Sequence, residues 1–319
     1  MYKKPIEEVV AYYVERFRDW IGNDNAFIAS SGGADSALVI CLAREALGEE
    51  RVITMFRDIC SDPKHRKDAT EVAEVLGVKF WDIDGNPAYN AFLEQVKPEA
   101  KRNGTPFYEE GSEEARNVPY IQGGYESCKS RATTFMVGLI SKWERARIIG
   151  TGNLVEDLVI RFYDKYGDNA VDFCLIVGLT KMEVWQMLLY FADKYNAEVL
   201  RRIAYKIPSP DLQAVGDKQN DEDQITAWAQ SLGYKIDRLS YGSLDREGNI
   251  GRICKEEVRR RVVSCKYITY ACMRKHWGYT EEDVEVVKFF RYTNKVTEHK
   301  DLKLPGIPRQ ELMDAGLVD

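Results

Sequence analysis

At 319 residues, 45% of them hydrophobic, the chain can bury a sizeable core as one large domain or as a domain with an appendage. Its 45 basic and 51 acidic residues leave a net charge of −6, which excludes a chain-wide positive field for nucleic acid or an anionic membrane, though not a local basic pocket. The opening "MYKKPIEEVVAYYVERFRDW" mixes charges among apolar residues at helical spacing and lacks the unbroken apolar run of a signal peptide or membrane helix, so a cytoplasmic protein is expected.

In chain order, short β-branched runs alternate with longer amphipathic stretches. "AFIAS" is followed by a helix from Asp35 to about Leu47, then "RVITMF", a helix around Lys67 to Leu76, and "VKFWDI". This is the rhythm of a parallel sheet with crossover helices. After Asp84 it lapses through a polar, Gly- and Pro-containing stretch, and residues 85–125 read as an insertion or mobile loop. A helix from about Ser127 to Trp143 precedes the strand "ARIIG", and "DFCLIVGL" with a helix near Lys181 completes the alternation. Beyond Pro210 the sequence turns helical and charged. Seven cysteines without a CxxC pair read as buried reduced thiols, and three scattered histidines offer no Cys/His metal site; Cys265 and Cys272 share a face only if one helix carries both.

The turn "SSGGADS" leaves the first strand at the carboxyl edge of the sheet, where ligands of parallel α/β folds sit. Gly32 and Gly33 let backbone N–H groups approach an anion, Ser31 and Ser36 add hydroxyls, and the following helix directs its positive end at the same point. The turn lacks the lysine of GxxxxGK[ST] and the spacing of GxGxxG. Asp35 inside an anion cradle is unfavourable unless a divalent cation joins it to the ligand, which points to magnesium and a polyphosphate. "SGGADS" resembles the PP-loop of the N-type ATP pyrophosphatases, which cleave ATP between its α and β phosphates and adenylate an acceptor.

A second group, "GTGNLVEDLVIRFYDKYGD" from Gly150 to Asp168, begins at the end of another expected strand and should face the same crevice. Glu156 would share a cation with Asp35; Lys165 and Asp168 are one helical turn apart if their segment is helical. With "LTK" ending at Lys181, "PSPDL" carrying Ser209, "DEDQI" from Asp221 and "EHK" carrying His299 and Lys300, the order of motifs over residues 20–305 resembles the NAD synthetase family of the PP-loop superfamily, ammonia-dependent type.

The resemblance implies a Rossmann-like α/β fold of the adenine-nucleotide alpha-hydrolase type, with a parallel sheet, helices on both faces and a helical C-terminal extension. It divides the chain into a PP-loop domain over 1–212 and a helical region over 213–319 that supplies lid and dimer contacts. It also implies conversion of deamido-NAD and ammonia to NAD through an acyl-adenylate, with ATP consumed to AMP and pyrophosphate and Mg2+ required. Ser31, Gly32, Gly33, Asp35, Ser36 and Thr151 would hold ATP and pyrophosphate, and Asp35 and Glu156 the magnesium. Lys181 and Ser209 would stabilise phosphoryl oxygens, and Asp168 would take a proton from ammonium. Arg131, Arg161, Phe162, Lys165, His299 and Lys300 match acceptor-binding positions. A homodimer is implied, with ammonia free or delivered by a separate glutaminase because the PP-loop arrives by residue 31. Arg161 stands where the family usually has glycine and Asp164 where it has threonine. A salt bridge between them would preserve the pocket; alternatively Arg161 recognises a different acid, such as nicotinate mononucleotide or a specialised metabolite. A non-catalytic nucleotide-binding paralogue is the remaining alternative, disfavoured by the intact charged groups.

Overall fold

The computed structural model describes residues 2–209, 212, 220–242, 244, 251–265, 267–300 and 306–319. Five parallel strands, β1 (Asn25–Ala29), β2 (Val52–Asp58), β3 (Lys79–Asp84), β4 (Ala146–Gly150) and β5 (Phe173–Cys174), lie in the order β3-β2-β1-β4-β5. The order reverses between β1 and β4, so the crevice where parallel α/β sheets bind ligands opens at the carboxyl ends of these two strands.

Helices cover both faces. On one lie α1 (Ile6–Ile21), α2 (Ala34–Leu47), α3 (Pro63–Leu76), α7 (Lys181–Lys194) and α8 (Glu198–Ala204); α4 (Asn86–Arg102) and α5 (Glu113–Arg116) lead to α6 (Pro119–Trp143) on the other. In α1, Val9, Tyr13, Phe17 and Ile21 recur every four residues and form its buried stripe. α2 is buried nearly all round because α1, α7 and α8 cover what the sheet does not. On the opposite face Val137 and Ile140 of α6 pack against Phe27, Ile53 and Met55.

The stretch expected to be an insertion or mobile loop, 85–125, contains α4, α5 and the first turns of α6. Pro87 sits in the first turn of α4, where its missing N–H costs nothing, but among the buried residues of that helix only Tyr89 appears, so the apolar periodicity that marks a helix is missing. α6 likewise begins at Pro119 rather than near Ser127. "DFCLIVGL" pairs as strand only at Phe173 and Cys174 before turning toward α7.

The C-terminal region contributes α9 (Asp221–Ser231), α10 (Arg252–Val258), α11 (Arg260–Ser264), α12 (Tyr270–Trp277), α13 (Glu281–Val296) and α14 (Arg309–Asp314). Ile225, Tyr241, Phe289 and Leu312 join the same core as α1, α2 and α7, while Val262, Met273, Tyr279, Val284 and Val287 form a satellite. Cys265 lies between α11 and α12 and Cys272 within α12, so no single helix presents both. All seven cysteines are free thiols; Cys41, Cys174 and Cys254 are buried and the others partly so. Among the described residues no helix is long and apolar enough to cross a membrane.

Candidate active site

The turn after β1 is shaped by its own serines. Ser36, buried at the start of α2, receives the Ser31 N–H at 3.2 Å and donates to Gly33 O at 3.2 Å, while Ser31 Oγ accepts from the Gly33 N–H at 3.3 Å. Gly32 has φ +69°, and a Cβ there would stand 2.3 Å from the His65 carbonyl oxygen, so close approach of α3 and a left-handed backbone both require glycine. Gly33 precedes α2 with no side-chain cap on the helix, leaving its positive end directed at the crevice. Above it lies a cavity of about 520 Å³ that Ser31, Gly33, Asp35, Thr151 and Glu156 help line.

Lys181 joins the two signature motifs. It opens α7, whose first turn is fixed by a capping box between Thr180 and Glu183, and its buried Nζ lies 2.5 Å from Asp35 Oδ2 and 2.9 Å from Glu156 Oε1. Burial alone would favour the neutral amine, but the Asp35 and Glu156 charges outweigh it and hold Lys181 protonated. Glu156 belongs to a single π-helical turn, Leu154–Val159, oriented by Asn153: the wholly buried amide accepts from the Val155 and Glu156 N–H groups and donates to Asp35 Oδ1 at 3.2 Å. Burial raises the Glu156, Asp157 and Asp221 carboxyls above their usual range, and the neighbouring carboxylates raise them further. One ammonium thus faces a surplus of carboxylates.

That donor set fits the magnesium the resemblance implies. Asp35 and Glu156 offer hard oxygen ligands in a site short of positive charge; with Lys181 between them, they would take up the ion with its shell completed by phosphate oxygens and water, as magnesium generally is. Among the described residues no three His, Cys, Asp or Glu side chains are gathered to hold a metal by themselves.

Across the cavity, Ser130 of α6 donates to Asp168 Oδ1 at 2.8 Å, and the Asp164 N–H reaches the same oxygen at 3.1 Å. Asp168 is open to the cavity yet deep among protein atoms, and that burial raises its carboxyl above the usual range. The segment is not helical: Gly167 N–H bonds Asp164 O, and Tyr166 has φ +64°, and the two side chains meet different partners, Lys165 the His299 carbonyl and Asp168 the Ser130 hydroxyl. Phe162, Lys181, Ser209 and Lys300 also line the cavity.

Other expected acceptor contacts are engaged elsewhere. Arg161 is buried, with φ +50°, and its Nη1 donates to Asn294 O near the end of α13 at 2.7 Å. Asp164 instead accepts from Ser127 Oγ at 3.0 Å and faces Arg131 at 3.7 Å. The expected compensating bridge is therefore replaced by two separate arrangements, and Arg161 supports α13 rather than lining the cavity. Arg131 holds Lys165 O, Lys165 Nζ donates to His299 O, and Lys300 Nζ donates to Tyr163 O at 2.7 Å and Arg161 O at 3.1 Å. Burial lowers the Lys300 pKa. His299 is exposed. The segment 298–300 thus clips onto the second signature within the same chain. Pro210 and Asp211 of "PSPDL", and Asp301, lie outside the described residues.

Sequence reasoning missed Asn153 and Ser130, the residues that orient Asp35, Glu156 and Asp168. Asn153 stands inside the quoted "GTGN" as an Asx N-cap, a readable signal; Ser130 had none.

A protein-family model described as NAD synthase matches residues 6–247. The NH(3)-dependent NAD(+) synthetase of Pyrococcus horikoshii is 30% identical over 260 residues, covering 81% of this chain and 83% of that protein. Among solved structures, the NMN synthetase from Francisella tularensis superposes with TM-score 0.64 at 19% identity over 95% of this chain and 98% of that one. The NH3-dependent NAD synthetase from Campylobacter jejuni superposes with TM-score 0.56 at 16% identity over 94% and 99%. At such identities the superpositions establish the fold, whereas the sequence match spans both signature motifs and Lys181; the chain belongs to the NAD synthase family.

Proposed function

We propose that the protein is an ATP-dependent, ammonia-using amide ligase that converts deamido-NAD to NAD, releasing AMP and pyrophosphate. The observation that carries this reading is the meeting of Asp35, Glu156 and Lys181 at the glycine turn, with Asp168 facing them across one cavity. The nicotinate carboxylate oxygen attacks the α phosphorus, and the bond to the departing pyrophosphate breaks. Ammonia then adds to the acyl carbon and AMP leaves with the bonding electron pair. The turn and the positive end of α2 bind the pyrophosphate, and Lys181 and Ser209 balance charge at the phosphoryl oxygens. Asp168, its basicity raised by burial, takes the proton that makes ammonium non-nucleophilic. Asp35 and Glu156 would hold magnesium, which would neutralise charge on the phosphates.

Residues 213–319 act in this reading as lid, the 298–300 clip closing the acceptor end. The working form is a homodimer, and besides the contacts expected of residues 213–319, α6 offers it an exposed face, Phe135, Leu139 and Trp143 at four-residue spacing.

The test is pyrophosphate release with ATP, magnesium and ammonium, comparing deamido-NAD, nicotinate mononucleotide and no acceptor, with the amide product weighed by mass spectrometry. Release that needs deamido-NAD and yields NAD is expected. Release only with the mononucleotide would move the acceptor, and silence with every acid would remove the ligase reading.

A further inference from the structure

The glycine turn carries no lysine of its own, and Lys181, assigned above to the phosphoryl oxygens, is shared with the carboxylates of Asp35 and Glu156. A triply or quadruply charged polyphosphate requires further positive charge. Lys206, two residues beyond α8, reaches the turn from the side: its Nζ lies 3.4 Å from Gly32 O, 2.9 Å from His65 Nδ1 and 2.9 Å from Asp68 Oδ2. It lines the cavity and is one-quarter exposed. These three contacts match the three donors of an ammonium, and they require Nδ1 of His65 to be an acceptor.

The bond to Asp68 is replaceable. Asp68 is also held by Arg202, with Nη2 at 2.7 Å from Oδ1, so it keeps a counter-charge when Lys206 turns away. His65 is fixed independently, because its backbone packs under Gly32. The carbonyl contact already puts the ammonium at the turn whose N–H groups face the anion. We infer that Lys206 is a substrate-contacting cation of the polyphosphate subsite: it exchanges Asp68 for the β and γ phosphates and holds them as they leave as pyrophosphate. The inference rests on the ATP reading of the cavity.

Calorimetric titration of Mg·pyrophosphate, Mg·ATP and AMP into wild type, Lys206→Met and Lys206→Arg tests it without turnover and whatever the acceptor. Lys206→Met should weaken pyrophosphate and ATP binding roughly tenfold to a hundredfold, the range of a lost charge-assisted hydrogen bond, while AMP affinity changes less than about twofold and Lys206→Arg recovers most of the loss. Equal pyrophosphate affinity in Lys206→Met and wild type would overturn the inference alone. A wild type that binds neither ATP nor pyrophosphate would overturn the ATP reading with it. Should Lys206→Met fail to fold, lysine acetylation of wild type decides: Mg·pyrophosphate should protect Lys206 but not the exposed Lys67, and unchanged labelling of Lys206 would overturn the inference.

Discussion

Arg309 of α14 and Glu183 of α7 form a two-bond pair, Nη1 to Oε2 at 2.8 Å and Nη2 to Oε1 at 3.2 Å, with both side chains almost wholly buried. Burial alone would raise the Glu183 carboxyl, but the guanidinium overrides it and holds the pKa below the usual range. Glu183 Oε2 also accepts from the Thr180 N–H at 2.9 Å, so the pair stiffens the turn that carries Lys181. Arg309→Met removes the two-bond guanidinium partner of a buried carboxylate and should cost about 3–5 kcal/mol. Urea unfolding reads it as a lower midpoint at unchanged slope. A loss below about 1 kcal/mol would mean that the pair contributes nothing net.

Asp35→Ala should abolish pyrophosphate release with every acceptor, by about a thousandfold or more, while circular dichroism remains native. Lys181 keeps Glu156 as partner in this variant. Turnover near the wild-type rate would remove Asp35 from phosphate and magnesium binding.

Asp168→Asn separates the two half-reactions. The amide keeps an acceptor for Ser130 but not the basicity that the proposed proton transfer from ammonium requires. Acyl-adenylate should form and accumulate while amide formation falls by about a hundredfold or more. The ratio of pyrophosphate to amide, read in a quenched time course, checks it; equal losses of both would place Asp168 in adenylation instead.

Glu256 of α10 gives a pH signature of its own. Burial pushes its carboxyl up to about 7, against the opposing hydrogen bond from Tyr279 and the charge of Arg259. The folded state therefore holds a proton that the unfolded chain has released, and stability falls as pH rises from about 4.5 to about 7, by at most about 3.5 kcal/mol at 1.4 kcal/mol per unit. Glu256→Gln should remove that slope, as seen in thermal midpoints across pH 5 to 8. A slope unchanged in the variant would assign the titration elsewhere.

Phe135 is 78% exposed and Trp143 66%, with Leu139 between them on the same helical face. Leu139→Glu should convert a dimer to a monomer in sedimentation velocity without lowering the thermal midpoint of the monomer fold. A monomeric wild type would remove α6 as the interface.

Much of this architecture was legible because it rests on local chemistry. "SGGADS" between an apolar run and a helix admits few backbone paths, so its place at the crevice could be read from the sequence. The alternating strands and crossover helices likewise fix a parallel sheet. What escaped depends on burial arranged at a distance. Along α4 Tyr89 alone is buried, so its periodicity was silent. Arg161 occupies a left-handed backbone position where glycine was expected, and its side chain serves α13; sequence shows the change of residue type but not which way the guanidinium points. Lys181 between Asp35 and Glu156 is a relation across three separate segments, each readable only as a fragment.

The pairing of β1 with β4 sets when, as well as where, the site exists. Asn25, Ala26 and Phe27 pair with Ala146, Arg147 and Ile148, and Asn153 meets Asp35 across 118 residues of sequence. Closing so long a segment is slow and entropically costly, so the crevice emerges only once the centre of the sheet has assembled. A partly folded chain therefore lacks the crevice, and under the proposed function nucleotide captured by the finished one would stabilise the whole fold by mass action.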